Sequence, residues 1–216
     1  EIIPNGITPD VFTDNASPFR RYQDGKINIV FVSRLERRKG LAWLLKAYAS
    51  LRLEYPDLLR LIIVGPGKLD EECSQIISEH NLDDIEIVGG VSENEKRHYY
   101  QTADIFCAPA TGGESFGIIL LEAMSAGKPI VATRIAGYSS VLSHGLEGFL
   151  VPPKNSNKLA AAIAELVRNP ELRVQMGARG RVTVEQYRWE KVTQRVIDLY
   201  KNTLWRTAQP NKNGSS

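Results

Sequence analysis

"GGESFGIILLEAMSAGKPIVA", residues 112 to 132, runs from a glycine-rich loop into an apolar helical stretch, breaks, and ends in a short apolar run. The run "DIFCAPA" directly before it has the look of a buried strand. Strand, loop, helix, breaker and strand in that order make one parallel crossover unit. Two carboxylates interrupt the pattern. Glu114 falls where the loop should become a helix, and Glu122 follows eight residues later among Ile, Leu and Ala. An acid at a helix start offsets the macrodipole, and a second one commonly marks a solvated face. The competing reading is a site for a polar ligand, and the rest of the chain decides between them.

Outward from this unit the same alternation continues. "INIVFVS" (27–33), "LRLIIVG" (59–65), "IEIVGGV" (85–91), "PIVAT" and "EGFLVPP" read as further strands. Helical spacing covers 40–56, "DEECSQIISEHN", "ENEKRHYYQTA" and, briefly, "GYSSVLSHG". Three helices close the chain at about 156–168, 170–186 and 189–205. The last repeats apolar residues through Val192, Val196, Ile197, Tyr200 and Leu204. Continuous apolar strands between amphipathic helices predict an α/β fold: a Rossmann-like, doubly wound, six-stranded parallel sheet with C-terminal helices. Such sheets bind ligands outside the carboxyl ends of their strands.

Composition narrows the function classes. A chain of 216 residues with 43% hydrophobic and 24% charged residues is an ordinary globular mixture. Lysine plus arginine (27) nearly balances aspartate plus glutamate (25), so no nucleic-acid partner is expected. No apolar run approaches bilayer length and none reads as a signal peptide. Cys73 and Cys107 do not suggest a disulfide framework; Cys107 lies in an apolar strand, and a reducing cytoplasm fits. The opening "EIIPNGITPDVF" lacks methionine, so a fragment or processed product is expected. The tail at 207–216 is polar and turn-rich and is expected to be disordered.

The strand ends carry the chemistry. The first leads into "SRLERRKG", where Arg34 can grip an anion with two parallel hydrogen bonds and Lys39 adds a compact charge. With the helix start at Gly40 they make a diphosphate clamp, against the bland alternative of a solvated basic turn. After the second strand, Gly65 and Gly67 allow close backbone approach, although the spacing fits neither a Walker loop nor GxGxxG. After the third, backbone groups of Val91 and Ser92 suit the edge of a base. Lys96 is a candidate contact, though a lone helical lysine more often faces water. Ser115, Phe116, Gly117 and Ile118 are expected to offer free helix N–H groups, with Glu114 over the same pocket. Glu122, two turns in, requires a hydroxyl or cationic partner. This is the pattern of a sugar-and-ribose reader; no His/Cys cluster suggests a metal, and none is expected to be required.

These motifs, with "PNGITPDVF" at the start, resemble glycosyltransferase family 4, whose members are retaining enzymes of the GT-B fold. "CAPATGGESFGIILLEAMSAGKPIVAT" is most similar to the bacterial phosphatidylinositol mannosyltransferases, which use GDP-mannose. The resemblance implies that residues 1–206 are the donor-binding domain, with 1–22 following the interdomain crossover and 189–205 crossing back. The N-terminal acceptor domain would then be absent and this chain inactive alone. Arg34, Lys39 and Glu114 are implied as the catalytic groups, with Arg38 a helper on the diphosphate. Glu114 and the backbone of Phe116 and Gly117 would address the donor sugar. Ile118, Ile119, Leu120 and Leu121 would line the nucleotide pocket, Glu122 would meet the ribose, and Val91, Ser92 and Lys96 the base. No cofactor is implied beyond a nucleotide-sugar donor of GDP or UDP type. The parent would transfer a hexose to a lipid or saccharide acceptor at the cytoplasmic membrane face. A nucleotide-sugar binding module without catalysis, a UDP-sugar transferase and an epimerase of the same architecture are the alternatives.

Overall fold

Six short runs rich in Ile, Val and Leu pair into one parallel sheet in the computed structural model, which describes residues 3–13 and 16–208. The strands are β1 (Ile27–Val32), β2 (Leu59–Val64), β3 (Ile85–Gly89), β4 (Ile105–Ala108), β5 (Ile130–Thr133) and β6 (Gly148–Val151). Their order is β3-β2-β1-β4-β5-β6. The helices are α1 (Leu41–Glu54), α2 (Glu71–Glu79), α3 (Glu93–Thr102) and α4 (Ile118–Ser125). They continue with α5 (Ala136–Ser139), α6 (Ser156–Arg168), α7 (Pro170–Val184) and α8 (Trp189–Ala208).

Period-two alternation sends successive side chains into two cores, one on each face of the sheet. Val30, Val32, Ile62 and Val64 pack with Tyr100 of α3, with Leu120, Leu121 and Met124 of α4, and with Phe12. Ile29, Phe31, Leu61 and Ile63 pack with α1, α2 and α6 through Leu44, Tyr48, Ile76 and Ile163. Each buried aliphatic side chain contributes about 1.5–3 kcal/mol, so a sheet apolar on both faces needs both layers. Local chemistry sets the helix starts. Asp70 Oδ1 accepts from Cys73 N at 2.9 Å, Asn155 Oδ1 accepts from Lys158 N at 2.9 Å, and Pro170 opens α7.

The structure corrects the sequence reading at two helices. "GYSSVLSHG" yields only the single turn of α5, followed by turns. Helix α8 runs on to Ala208, past the expected end at 205, and residues 209–216 of the expected disordered tail lie outside the described residues. Ahead of β1 the chain forms two short 3-10 turns, at Pro9–Phe12 and Arg20–Tyr22. Ile7 makes a parallel bridge with Arg188, so the entering and leaving segments lie side by side. Along α8, Val192 is buried while Ile197 and Tyr200 are exposed.

Candidate functional site

The strand order reverses between β1 and β4, the switch point at which an open α/β sheet forms its ligand crevice. The loops leaving these two strands are drawn together there. Gly40 has φ 78°, and a Cβ on it would lie 2.0 Å from the Pro109 carbonyl oxygen, so only glycine permits the approach. The Arg38 carbonyl accepts from Thr111 N at 2.8 Å and from its hydroxyl at 3.2 Å.

Across this junction Lys39 Nζ donates to Glu114 Oε1 at 2.6 Å, and Arg38 Nη1 donates to the same oxygen at 2.7 Å. Arg38 also reaches the Gly113 carbonyl at 3.2 Å and Glu36 at 2.8 Å. Arg34 Nε pairs with Glu36 at 3.0 Å but is 65% exposed, whereas Lys39 is 12% and Glu114 13% exposed. Three cations therefore face two carboxylates, and the positive surplus lies at the ligand-binding edge. A phosphate group arriving here meets a compact ammonium and two guanidinium forks.

The second carboxylate lies inside α4. Glu122 Oε2 accepts from the Tyr100 hydroxyl at 2.6 Å, and Oε1 accepts from Lys96 Nζ at 2.9 Å. Both donors belong to α3, and the Glu122 side chain is only 11% exposed. Lys96 also pairs with Glu93 at 2.7 Å. Burial by itself would lower the Lys96 pKa; attraction to Glu122 and Glu93 outweighs it and the net shift is upward. The Tyr100 phenol is pushed well above its usual range, first by burial and then by the neighbouring Glu122 charge.

Several expected site residues stand elsewhere. Ser115 and Phe116 precede the helix: α4 begins at Ile118 after Gly117, so the first helical N–H groups are those of Ile118 and Ile119. The Phe116 ring instead meets Tyr187 edge-on at 5.9 Å. Ile118 is exposed and Ile119 partly buried, but the Leu120 and Leu121 side chains are wholly buried in the core. Ser92 caps α3, and its N–H already donates to Glu95 Oε2 at 3.0 Å in a capping box, so it is spent on the helix rather than a base. Val91 stays half-buried beside it. Gly65 serves packing: a Cβ there would lie 1.8 Å from the Ser33 carbonyl oxygen, where β1 leads into the clamp loop. Lys96 is not a solvated lysine but a paired one.

Glu36 and Tyr100 escaped the sequence reading. Tyr100 had a signal, since residues 96 and 100 share one face of a helix and Glu122 required partners. Among the described residues no group of three or more His, Cys, Asp or Glu is placed to hold a metal ion. A cavity of about 480 Å³ lies behind the clamp loop, lined by Leu35, Trp43, Lys68 and Leu69; it shares Glu36 and Arg38 with the cluster but reaches neither Glu114 nor Glu122.

An all-parallel sheet of this order, with a cationic junction and two held carboxylates at its switch point, defines a Rossmann-like domain of the C-terminal GT-B type. The family profile described as glycosyl transferases group 1 matches residues 13–183, and the chain belongs to that family. It is 37% identical over 200 residues to the phosphatidyl-myo-inositol mannosyltransferase of Mycobacterium leprae, covering 92% of this chain and 52% of that protein. It thus spans about half the length of such relatives. The solved C-terminal domain of a glycosyl transferase group 1 family protein (LpcC) from Francisella tularensis aligns at TM-score 0.73 and 24% identity, covering 85% of this chain and 100% of that one. Anabaena HepE in complex with UDP aligns at TM-score 0.83 and 22% identity, covering 94% of this chain and 57% of that one. Both solved structures bear on the fold.

Proposed function

We propose that this chain is the donor-binding half of a retaining hexosyltransferase that moves mannose from GDP-mannose to a lipid or saccharide acceptor. The convergence of Arg38 and Lys39 on Glu114 at the switch point carries this reading. As the sugar–phosphate bond breaks, the diphosphate gains negative charge and the sugar gains oxocarbenium character. Lys39 and Arg38, with Arg34 swinging in from the exposed rim, stabilise the departing diphosphate; this is preorganised electrostatic catalysis. Glu114 accepts hydrogen bonds from the sugar hydroxyls, and Glu122 accepts them from the ribose. Side-chain cations neutralise the leaving group in this scheme, so it calls for neither metal nor cofactor.

The acceptor and the remaining groups come from an N-terminal half of the parent, which works at the cytoplasmic face of a membrane. The chain alone binds nucleotide but does not transfer sugar. The mannosyltransferase relative supports mannose as the sugar moved. The UDP bound by Anabaena HepE supports the second reading, a UDP-sugar donor. Calorimetric titration of the chain with GDP, GDP-mannose, UDP and UDP-glucose decides between them. Tighter binding of the guanosine pair is expected. Tighter binding of the uridine pair moves the donor to the second reading, and no binding by any of the four overturns the donor-domain reading.

A further inference from the structure

The Tyr100 hydroxyl is buried against the candidate site, and the proposed scheme assigns it no task. The ring is fully buried, 5.7 Å from Phe12 and 5.1 Å from Phe106. Its hydroxyl has two oxygen neighbours: Glu122 Oε2 at 2.6 Å and the Ile119 carbonyl at 3.5 Å, the limit of a hydrogen bond. The carboxylate is thus its working acceptor.

We propose that Tyr100 is a positioning residue that holds Glu122 in one rotamer as an acceptor for the two ribose hydroxyls. This rests on the reading of Glu122 as the ribose carboxylate. A phenol is suited to the task because it donates a hydrogen bond without bringing a positive charge. A second cation in its place would exceed the charge that Lys96 already supplies and leave Glu122 a poorer acceptor for a hydroxyl. Lys96, at the rim, supplies the single charge that makes a buried carboxylate tolerable. Each carboxylate oxygen has a further lone-pair site beyond the one its protein donor uses, and those sites remain for the ligand. Burial keeps the Tyr100 proton in place at any working pH, so the donor is always armed. The aromatic contacts with Phe12 and Phe106 fix the ring and, through it, the carboxylate.

Tyr100→Phe removes the hydroxyl and keeps the ring. Its binding is measured against that of the unaltered chain with GDP, 2′,3′-dideoxy-GDP and inorganic pyrophosphate, and again in a Glu122→Gln background. UDP and its dideoxy form replace the guanosine pair if the chain prefers uridine. A thermal melt of each variant accompanies the titrations. Loss of a bond to a charged acceptor is expected to weaken the ribonucleotide about tenfold. The dideoxy nucleotide and pyrophosphate should bind as before, and the Glu122→Gln background should show no further loss. Equal weakening of all three ligands, an undiminished loss in that background, or no loss for the ribonucleotide overturns the positioning role alone. An unaltered chain that holds GDP no better than its dideoxy form overturns the ribose reading itself, and the inference with it. A Tyr100→Phe chain that fails to fold gives way to Glu122→Asp, which keeps the phenol and draws the carboxylate back from it by one methylene. A Glu122→Asp chain that keeps the full preference for GDP over its dideoxy form likewise refutes the role.

Discussion

Glu114 shares one oxygen between two cations carried on a neighbouring loop, whereas Glu122 divides its two oxygens between an ammonium and a phenol on one helix. Both are largely withdrawn from water. Their surroundings nonetheless suit different tasks. The Glu114 pairs are purely ionic and join a single 3-10 turn, Arg37–Lys39, to a loop, so an arriving anion can compete for the cations. Glu122 is rooted in a helix whose adjacent residues fill the core, and its phenol partner has nothing better to bind. In the proposed scheme one carboxylate balances charge until a ligand takes over, and the other is a fixed acceptor.

Removing the buried partner tests the fixed side of this comparison most severely. Tyr100→Ala should cost about 3–5 kcal/mol of stability in denaturant unfolding, from the cavity and from the abandoned carboxylate. A cost below about 1 kcal/mol would show that the site collapses freely and that Glu122 is not held. On the exchangeable side, Lys39→Ala should weaken GDP by at least about tenfold, since truncating a desolvated charge costs about 2–5 kcal/mol. Free guanosine should be unaffected. Arg34→Ala should lose less, because that guanidinium is mostly in water. Calorimetry that ranks Arg34 above Lys39 would move the clamp outward to the exposed rim.

The two carboxylates should then separate in one titration. Glu122→Gln should weaken GDP and GDP-mannose together by about tenfold, because both carry the ribose. Glu114→Gln frees the clamp from a competing anion, so GDP should bind as well or better while the added affinity due to the sugar disappears. Equal losses for both ligands in the Glu114 variant would erase the distinction between the two sites. The smallest effect belongs to an exposed pair that serves as baseline, Asp10 with Arg188. The hydrogen bond from Arg188 lowers the Asp10 pKa, so its contribution is present above the ordinary carboxylate range and lost as the pH falls through the lower folded value. Asp10→Asn should therefore melt only slightly below the parent at neutral pH, with the gap closing in high salt and in acid.

The sheet was legible because its signals are local. "INIVFVS" and "LRLIIVG" have too little polarity to be anything but doubly covered strands, and β1 and β2 fall within them. Asn155 and Pro170 mark helix starts at which α6 and α7 begin. The clamp loop and both glutamates were also marked as chemistry by residue type and position. What escaped depends on contacts across the chain. Ser92 is the exception, because the Ser-x-x-Glu spacing signals locally that Glu95 claims its N–H. Nothing in "GIILLEA" separates exposed Ile118 from buried Leu121 until the helix is laid on its sheet. Arg38 acquires its role only when the β4 loop brings Glu114 to it, across 76 positions of sequence.

The bridge between Ile7 and Arg188 has a consequence for the order in which the molecule is completed. Asp10 meets Arg188 in two hydrogen bonds of 2.6 and 2.7 Å across 178 positions, and the Phe12 carbonyl is met by the Gln101 side chain across 89. Contacts this distant in sequence form only after a long loop closes, which is slow compared with strand and helix pairing nearby. On a ribosome, the segment at 7–12 emerges before either partner exists, and its anchorage comes in two stages. Phe12 can settle against Tyr100 and Gln101 once α3 has emerged, whereas Ile7 and Asp10 are secured only when Arg188 clears the exit tunnel.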